Sequence, residues 1–172
     1  MKNPVSKLLA GAAAATVLAG MAMAQDLTLA DDSRLVRSIT LEELEALVAV
    51  AGDEIISTGE NGAVSVNAAT PEGLNYRMIG TVCSEDGVPS CNGIHMVVTY
   101  AASDRVDDAV VNAASKRTFV TSVWQEDGQL GISRYLILDG GQTMENIKVN
   151  YENFLSAVDV IVQDIWPDYA GE

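Results

Sequence analysis

The sequence predicts a two-layer α+β domain, in which one antiparallel sheet of about five strands is packed with three helices. Apolar residues recur at helical spacing in some segments and alternate with polar residues in the segments between them. Asn-Gly and Asp-Gly pairs separate neighbouring strand segments, as they do in antiparallel hairpins. The predicted order is α-β-β-β(-β)-α-β-β-α. Because every connection is short, helices on a single face of one sheet are the simplest arrangement.

The first helix is predicted to begin after Thr40 and to end at Gly52. Thr40 and Glu43 match the capping-box pattern, in which each side chain accepts a hydrogen bond from the backbone N–H of the other residue. Glycine is common just past a helix end because it adopts the left-handed conformation without strain. One face of this helix carries the apolar residues Leu41, Leu44, Leu47, Val48 and Ala51.

Two strand pairs are predicted to be hairpins. An Asn-Gly turn joins segments 54–57 and 64–67, and an Asp-Gly turn joins segments 119–125 and 130–138. The central strand pair is predicted between these hairpins, where every second residue faces the core. Its core-facing residues are Leu74, Tyr76, Met78 and Val82 in the first strand and Ile94, Met96, Val98 and Tyr100 in the second, whereas His95 and Thr99 face the other way.

Two further helices complete the domain. Ser103 or Asp104 is expected to cap the second helix, and Lys116 and Arg117 near its end suit the helix dipole. Thr143 is expected to cap the third helix. The buried faces are predicted to be Val106, Ala109, Val110 and Ala113 in the second helix, and Met144, Ile147, Tyr151, Phe154, Leu155, Val158, Ile161, Val162, Ile165 and Trp166 in the third.

Residues 1–24 have the features of a cleavable signal peptide. Lys2 and Lys7 flank the start of a short uncharged run rich in Ala and Leu, and Ala22-Met23-Ala24 fits the pattern that signal peptidase reads. Cleavage is predicted between Ala24 and Gln25, which makes the mature protein periplasmic. The apolar run is short for a membrane span, so we expect no stable membrane insertion after cleavage. An uncleaved anchor is the alternative.

The predicted mature chain has one domain. Residues 25–38 are expected to form a flexible acidic lead-in, residues 39–166 the α+β domain, and residues 167–172 a short tail. A domain of this length can bury a sizeable core.

The chain is strongly acidic, with 24 Asp and Glu, 10 Lys and Arg, and a formal net charge of −14. The acidic residues are scattered, which indicates a solvated surface and not an acidic tail. Such a surface repels nucleic acid and anionic lipid, so we expect neither as a partner. It favours solubility, and it would also suit a basic protein partner.

Cys83 and Cys91 flank a stretch rich in turn-forming residues. In an oxidising compartment, a disulfide across the mouth of this turn is the natural interpretation. The alternative is a metal site formed by both cysteines and His95, which lacks an evident fourth ligand.

No catalytic or cofactor-binding motif is evident. The sequence has no Gly-x-Ser-x-Gly nucleophile elbow, no phosphate- or dinucleotide-binding glycine loop and no alternating Asp calcium loop. His95 is the only histidine, and a general base needs a nucleophile and an orienting group beside it. Asp107 and Asp108 are adjacent on a predicted helix and point in different directions. We therefore predict no catalytic residue, no cofactor and no metal.

Three side chains are candidates for a ligand or partner surface: His95, Trp124 and Trp166. The plainer interpretation is that the histidine is structural or solvent-facing and that both tryptophans pack in the core or at its rim. Segment 140–143, with the sequence Gly-Gly-Gln-Thr, could hold an anion on backbone N–H groups at a helix start. Its ordinary role is a strand-to-helix turn capped by Thr143.

Several short segments resemble the YbjN-domain family, bacterial proteins described as candidate sensory-transduction regulators. The resemblance spans about Ile39 to Trp166 and rests on Thr40-Leu41-Glu42-Glu43-Leu44, Ala51-Gly52, the cysteines around the central turn, Val111-Asn112-Ala113, and Gly140-Gly141-Gln142-Thr143-Met144-Glu145-Asn146-Ile147 ahead of a long helix. It implies a fold like that of type III secretion chaperones, which often form dimers. It also implies protein binding or regulation through it, without enzymatic activity.

Three functions are therefore considered. The first is an exported, non-enzymatic protein-binding, chaperone-like or regulatory module, with an unknown protein partner and with a homodimer as one expected assembly. The second is a periplasmic binder of a small molecule or ion, such as a sensor subunit, which needs a concave pocket between helices and sheet. The third is an enzyme whose site the sequence does not reveal, for which His95 would have to lie beside a buried carboxylate.

Overall fold

The computed structural model describes residues 29, 31–84, 86–104 and 106–167. It confirms the predicted α+β class, because three helices and nine strands lie wholly within these ranges. The predicted signal peptide with its cleavage site, and the tail beyond residue 167, lie outside the described residues. No helix within the described ranges is both long enough and apolar enough to cross a membrane.

Strands precede, separate and follow the helices along the chain. The strands are β1 (Leu35–Val36), β2 (Ile39–Thr40), β3 (Glu54–Thr58), β4 (Ser65–Ala69), β5 (Asn75–Ser84), β6 (Ser90–Ala101), β7 (Ser122–Glu126), β8 (Gln129–Ile137) and β9 (Gln142–Thr143). The helices are α1 (Leu41–Ala51), α2 (Asp108–Arg117) and α3 (Met144–Ile165).

The main sheet is open and antiparallel, with the strand order β3-β4-β5-β6-β8-β7 and with β2 paired to one end of β6. Strands β1 and β9 form a separate two-stranded ladder. The main sheet has seven strands, compared with about five predicted. A strand as short as β2 leaves no alternating pattern that the sequence could reveal.

The core lies between the helices and one face of the main sheet, here called the inner face. The largest fully buried side chains include Met78 and Met96 from the central strands and Phe154 from α3. Helix α1 packs on β3 and β4, α2 on β7, and α3 on β6 and β8. The predicted two-layer arrangement is therefore present, with the opposite face of the sheet free of these helices.

Helix α1 begins and ends where the sequence predicts. The Thr40 hydroxyl accepts a hydrogen bond from the Glu43 amide at 3.3 Å, and the Glu43 carboxylate accepts one from the Thr40 amide at 3.0 Å. Gly52 adopts a φ of 84° as the C-cap. The buried residues are Leu44, Leu47 and Val48, whereas Ala51 is exposed.

The start of α2 differs from the prediction. Asp107 is the N-cap, and its carboxylate accepts a hydrogen bond from the Val110 amide at 2.9 Å, so Ser103 and Asp104 lie in the preceding turn. Ala114 is the buried residue of this helix, while Ala109 and Ala113, which the sequence predicts on its buried face, are exposed.

Two predicted strand residues also differ. Strand β7 begins at Ser122, which leaves Phe119 outside the strand with 99% of its surface exposed. Val82 has a φ of 54° and is 73% exposed, although alternation predicts it in the core. The left-handed backbone at Val82 turns its side chain out of the alternating pattern.

The second half of the predicted lead-in packs on the domain. Val36 is 2% exposed, and the Arg34 guanidinium lies 2.9 Å from the Glu43 carboxylate. The Lys148 ammonium donates to the carbonyl of Leu29 at 2.7 Å and lies 2.9 Å from the Asp32 carboxylate. Residues 31–38 are thus tied to α1 and α3 by these contacts.

Candidate functional site

The face of the main sheet opposite the helices is the candidate functional site, here called the outer face. Because successive side chains of a strand point to opposite faces, the residues next to each core residue lie on the outer face. Cross-strand neighbours form rows of side chains on this face. One row consists of Ile79, His95 and Tyr135, and another of Arg77, Val97 and Ser133. Trp124 lies at one end of the face, beside Gly131 and Thr99.

The outer face carries no negative charge on its central strands. Strands β4, β5, β6 and β8 contain no Asp or Glu at any position, although the chain has 24 such residues. The acidic residues of the sheet are Glu54 and Glu126, on the edge strands β3 and β7. The centre of the outer face is therefore a neutral to weakly basic surface on a strongly acidic protein, which makes it distinct from its surroundings.

Two aromatic rings lie flat on the outer face, each above a glycine. An added Cβ at Gly131 would collide with the Trp124 ring, and one at Gly93 would collide with the Tyr135 ring. The Tyr135 hydroxyl reaches the Thr81 hydroxyl of β5 at 2.8 Å. Because the glycines lack side chains, both rings contact the sheet closely, and Tyr135 is 49% exposed.

Alanine in place of Gly131 is expected to displace the Trp124 ring and to lower the free energy of unfolding by about 1–3 kcal/mol, the usual cost of overpacking. Urea unfolding measures this loss. In a Trp124→Ala background the same glycine substitution should cost far less, because the ring is absent. An equal cost in both backgrounds would show that the glycine serves the backbone and not the ring.

A trough runs along β5 on the outer face. It consists of two adjoining cavities of about 310 and 570 Å³ that share Arg77 and Ile79. The first is bordered by Ile56, Asn67, Val97 and Thr99, and the second by the β3–β4 turn and by the segment around Pro89. Among the described residues that line the two cavities, Arg77 is the only charged one.

His95 lies half-buried on the outer face, between Ile79 and Tyr135. Burial lowers the pKa of His95 below its ordinary value of 6.5, so the imidazole is uncharged at neutral pH. Its cross-strand neighbours carry no carboxylate, so the described residues do not form the acid–base pair that an enzyme would need here.

The structure separates the three candidates that the sequence proposes. His95 and Trp124 share the outer face, whereas Trp166 packs against Tyr100 of the inner face, with ring centroids 5.5 Å apart. The Trp166 indole N–H also donates to the Ser103 hydroxyl at 3.2 Å. A groove of about 430 Å³ beside Tyr100 is bordered by Glu72 and Asp159. Trp166 thus packs at the rim of the core.

Cys83 and Cys91 form a disulfide between directly opposed positions of β5 and β6. This confirms the predicted pairing. Because the two sulfurs are bonded to each other, they cannot serve as the thiolate ligands of the alternative metal site. Within the described part of the chain, no group of three or more His, Cys, Asp or Glu side chains is placed to hold a metal ion.

The Gly-Gly-Gln-Thr segment has its ordinary role. The Thr143 hydroxyl accepts a hydrogen bond from the Asn146 amide at 3.2 Å, as the predicted cap of α3. The amides of Met144 and Glu145 donate at 3.0 Å to carbonyls of residues 34 and 32. The first amides of α3 therefore already have acceptors, which contradicts the alternative of an anion site there.

The structure contains a buried polar cluster that the sequence analysis did not predict. Asp53, just after α1, accepts hydrogen bonds from the hydroxyls of Tyr76 in β5 and Tyr151 in α3, and the two hydroxyls also contact each other. Burial, together with Asp53, raises the pKa of both tyrosines above the ordinary value of 10. The two ring centroids lie 5.7 Å apart. This cluster links α1, β5 and α3 and stabilises the fold.

The fold can now be compared with solved structures. One of them is the crystal structure of YbjN from E. coli, described as a candidate transcription regulator. The comparison gives a TM-score of 0.57 at 13% sequence identity and covers 75% of this chain and 92% of that chain. The chain has the fold of YbjN. Identity at this level shows the fold alone. No protein-family model and no curated protein matches the sequence.

Proposed function

We propose that this protein is an exported, non-enzymatic binding module that engages a protein partner through its outer face. The observation that supports this most directly is the absence of Asp and Glu from β4, β5, β6 and β8, the strands that form the centre of the outer face and carry Tyr135, with Trp124 beside them on β7. A strongly acidic protein gains solubility from surface carboxylates, so a sheet centre without them fits contact with a partner. Rigid aromatic residues are among the side chains that contribute most to binding at interfaces.

The likeness to YbjN agrees with this proposal. That protein is described as a candidate transcription regulator and not as an enzyme. A regulatory module and a chaperone-like module both work by binding other macromolecules, so either role fits the proposed function. The −14 net charge of this chain favours a protein over nucleic acid as the partner.

Export is part of the proposal. The N-terminal pattern of charged, apolar and small residues supports it, and a disulfide is compatible with an oxidising compartment. Mass spectrometry of the protein recovered from the periplasm is expected to find Gln25 as the first residue. Recovery of the uncleaved chain from the cytoplasm would contradict this part.

Photo-crosslinking tests the binding role. A photoreactive phenylalanine analogue replaces Thr99 or Ile137, which are both exposed on the outer face, or Glu152, which is exposed on α3. After irradiation in envelope extract of the source bacterium, the two outer-face positions are expected to yield the same discrete crosslinked protein. The position on α3 serves as the matched control and should not yield it.

A second variant links the crosslink to the aromatic surface. Trp124→Ser removes one of the flat rings and is expected to reduce the outer-face crosslink several-fold, while the circular dichroism spectrum stays unchanged. Crosslinks that form equally from Glu152, or no discrete product from the outer face, would contradict the proposal.

A further inference from the structure

We propose that the trough along β5 takes an extended segment of the partner in which one carboxylate, paired with Arg77, lies between aliphatic side chains. This inference rests on the proposed function and names the chemistry of its partner. Strand β5 runs from Asn75 to Ser84, a length of roughly 30 Å, which corresponds to about nine residues of extended chain.

Arg77 is the observation that carries the inference. Acidic residues outnumber basic ones by 24 to 10 in this chain, and Arg34, Arg117 and Lys148 each have a carboxylate partner. Arg77 is exposed, and no carboxylate of the described residues lies within ion-pair distance of it. Its guanidinium therefore has free donors facing the trough, in the geometry that binds a carboxylate by two parallel hydrogen bonds.

The described residues that line the rest of the trough carry no second charge. Its walls are aliphatic at Ile56, Ile79 and Val97 and offer neutral amides and hydroxyls elsewhere. His95 is uncharged at neutral pH because burial lowers its pKa. A segment with one carboxylate flanked by aliphatic residues thus matches the trough in charge and in polarity.

Long-range electrostatics predicts the opposite preference, and this makes the inference sharply testable. A protein with a net charge of −14 attracts basic peptides to its surface in general. A local cation can reverse this preference, and among the described residues that line the trough this cation is Arg77.

The experiment selects a random nine-residue peptide library on the oxidised protein and on two variants. For the unmodified protein we expect enrichment of peptides with one central Asp or Glu between aliphatic residues. Arg77→Gln should abolish the acidic preference. Arg37→Gln removes another exposed arginine, located between β1 and β2, and should leave the preference intact.

A selected peptide and its twin with Gln in place of Glu are then compared by fluorescence anisotropy. The acidic peptide is expected to bind about tenfold more tightly than its twin, and Arg77→Gln should make the two equal. Enrichment of basic peptides, enrichment without any charge preference, or failure to enrich any peptide overturns the inference. The crosslinks from Thr99 and Ile137 then decide separately whether the proposed function still holds.

Discussion

Replacing Asp53 with alanine is expected to lower the free energy of unfolding by about 3 kcal/mol. Its carboxylate accepts hydrogen bonds from the Tyr76 hydroxyl at 2.7 Å and from the Tyr151 hydroxyl, and both tyrosines are buried. Hydrogen bonds to a charged group contribute about 1.5–3 kcal/mol each, and a buried donor left without its acceptor adds a desolvation cost. Urea unfolding at neutral pH, with a constant slope against denaturant, measures the loss.

Two matched variants test the origin of this loss. Asp53→Asn keeps an oxygen acceptor without the charge and should cost about half as much. Asp139→Ala removes an exposed aspartate and should change the stability by less than about 0.5 kcal/mol. If Asp53→Ala also costs this little, the cluster does not join α1, β5 and α3 in the way described here.

The pH dependence of stability provides an independent readout of the same cluster. Burial raises the pKa of Tyr76 and Tyr151 in the folded state, so the folded chain keeps protons that the unfolded chain loses above pH 10. The stabilisation is complete below pH 10 and declines as the pH rises further, by up to about 1.4 kcal/mol per pH unit for each tyrosine. Replacing both tyrosines with phenylalanine should flatten this decline, which urea unfolding at several alkaline pH values would show.

Local signals explain why so much of the fold could be predicted. The capping box of α1 involves residues three positions apart, and each hairpin turn depends on two adjacent residues. Asn61 and Gly62 have φ angles of 54° and 83°, and Asp127 and Gly128 have 49° and 73°, as tight hairpin turns require. Caps and turns of this kind depend on only a few adjacent residues, so they can be predicted without knowing the rest of the fold.

The start of α2 shows where local reasoning fails. Ser103, Asp104 and Asp107 all have side chains that can cap a helix, so the sequence alone does not choose among them. The choice is made by packing, since Val106 is buried, with 6% of its surface exposed, ahead of the first helical residue. A turn closed by the hydrogen bond from the Val106 amide to the Ser103 carbonyl precedes the helix. Tertiary contacts of this type are invisible to periodicity.

The candidate site was predicted only in part, for a related reason. His95 and Trp124 could be singled out because their residue types are rare in the chain. Arg77 and Tyr135 could not, because their roles depend on which residues lie opposite them across the sheet. Trp166 has the same chemistry as Trp124 but lies at the end of α3, where it packs against the inner face. Cross-strand register, which places Tyr135 over Gly93, follows from the whole sheet and not from any short segment.

Removal of the disulfide is expected to lower the free energy of unfolding by about 2.5 kcal/mol, through the loop-closure entropy of the unfolded chain. The double variant Cys83→Ala/Cys91→Ala, compared with the oxidised protein by urea unfolding, measures this. The same protein under reducing conditions is the control for side-chain effects, because Cys91 is fully buried and alanine there also removes packing. A loss that appears in the double variant but not on reduction would assign the effect to packing and not to the covalent link.

Removal of the disulfide should leave the fold intact, and the resulting destabilisation should be greatest at one end of the trough. Beyond the disulfide, Ser84 and Ser90 still pair, and β2 holds β6 from the other side through Ile39 and Thr40. We therefore expect faster amide hydrogen exchange within 81–84 and 90–93 on reduction, with little change along β8. Since Cys83 and Ser84 border the trough, the peptides that require Arg77 should also bind more weakly to the reduced protein. Uniform acceleration of exchange across the sheet would show that the disulfide supports the whole domain instead.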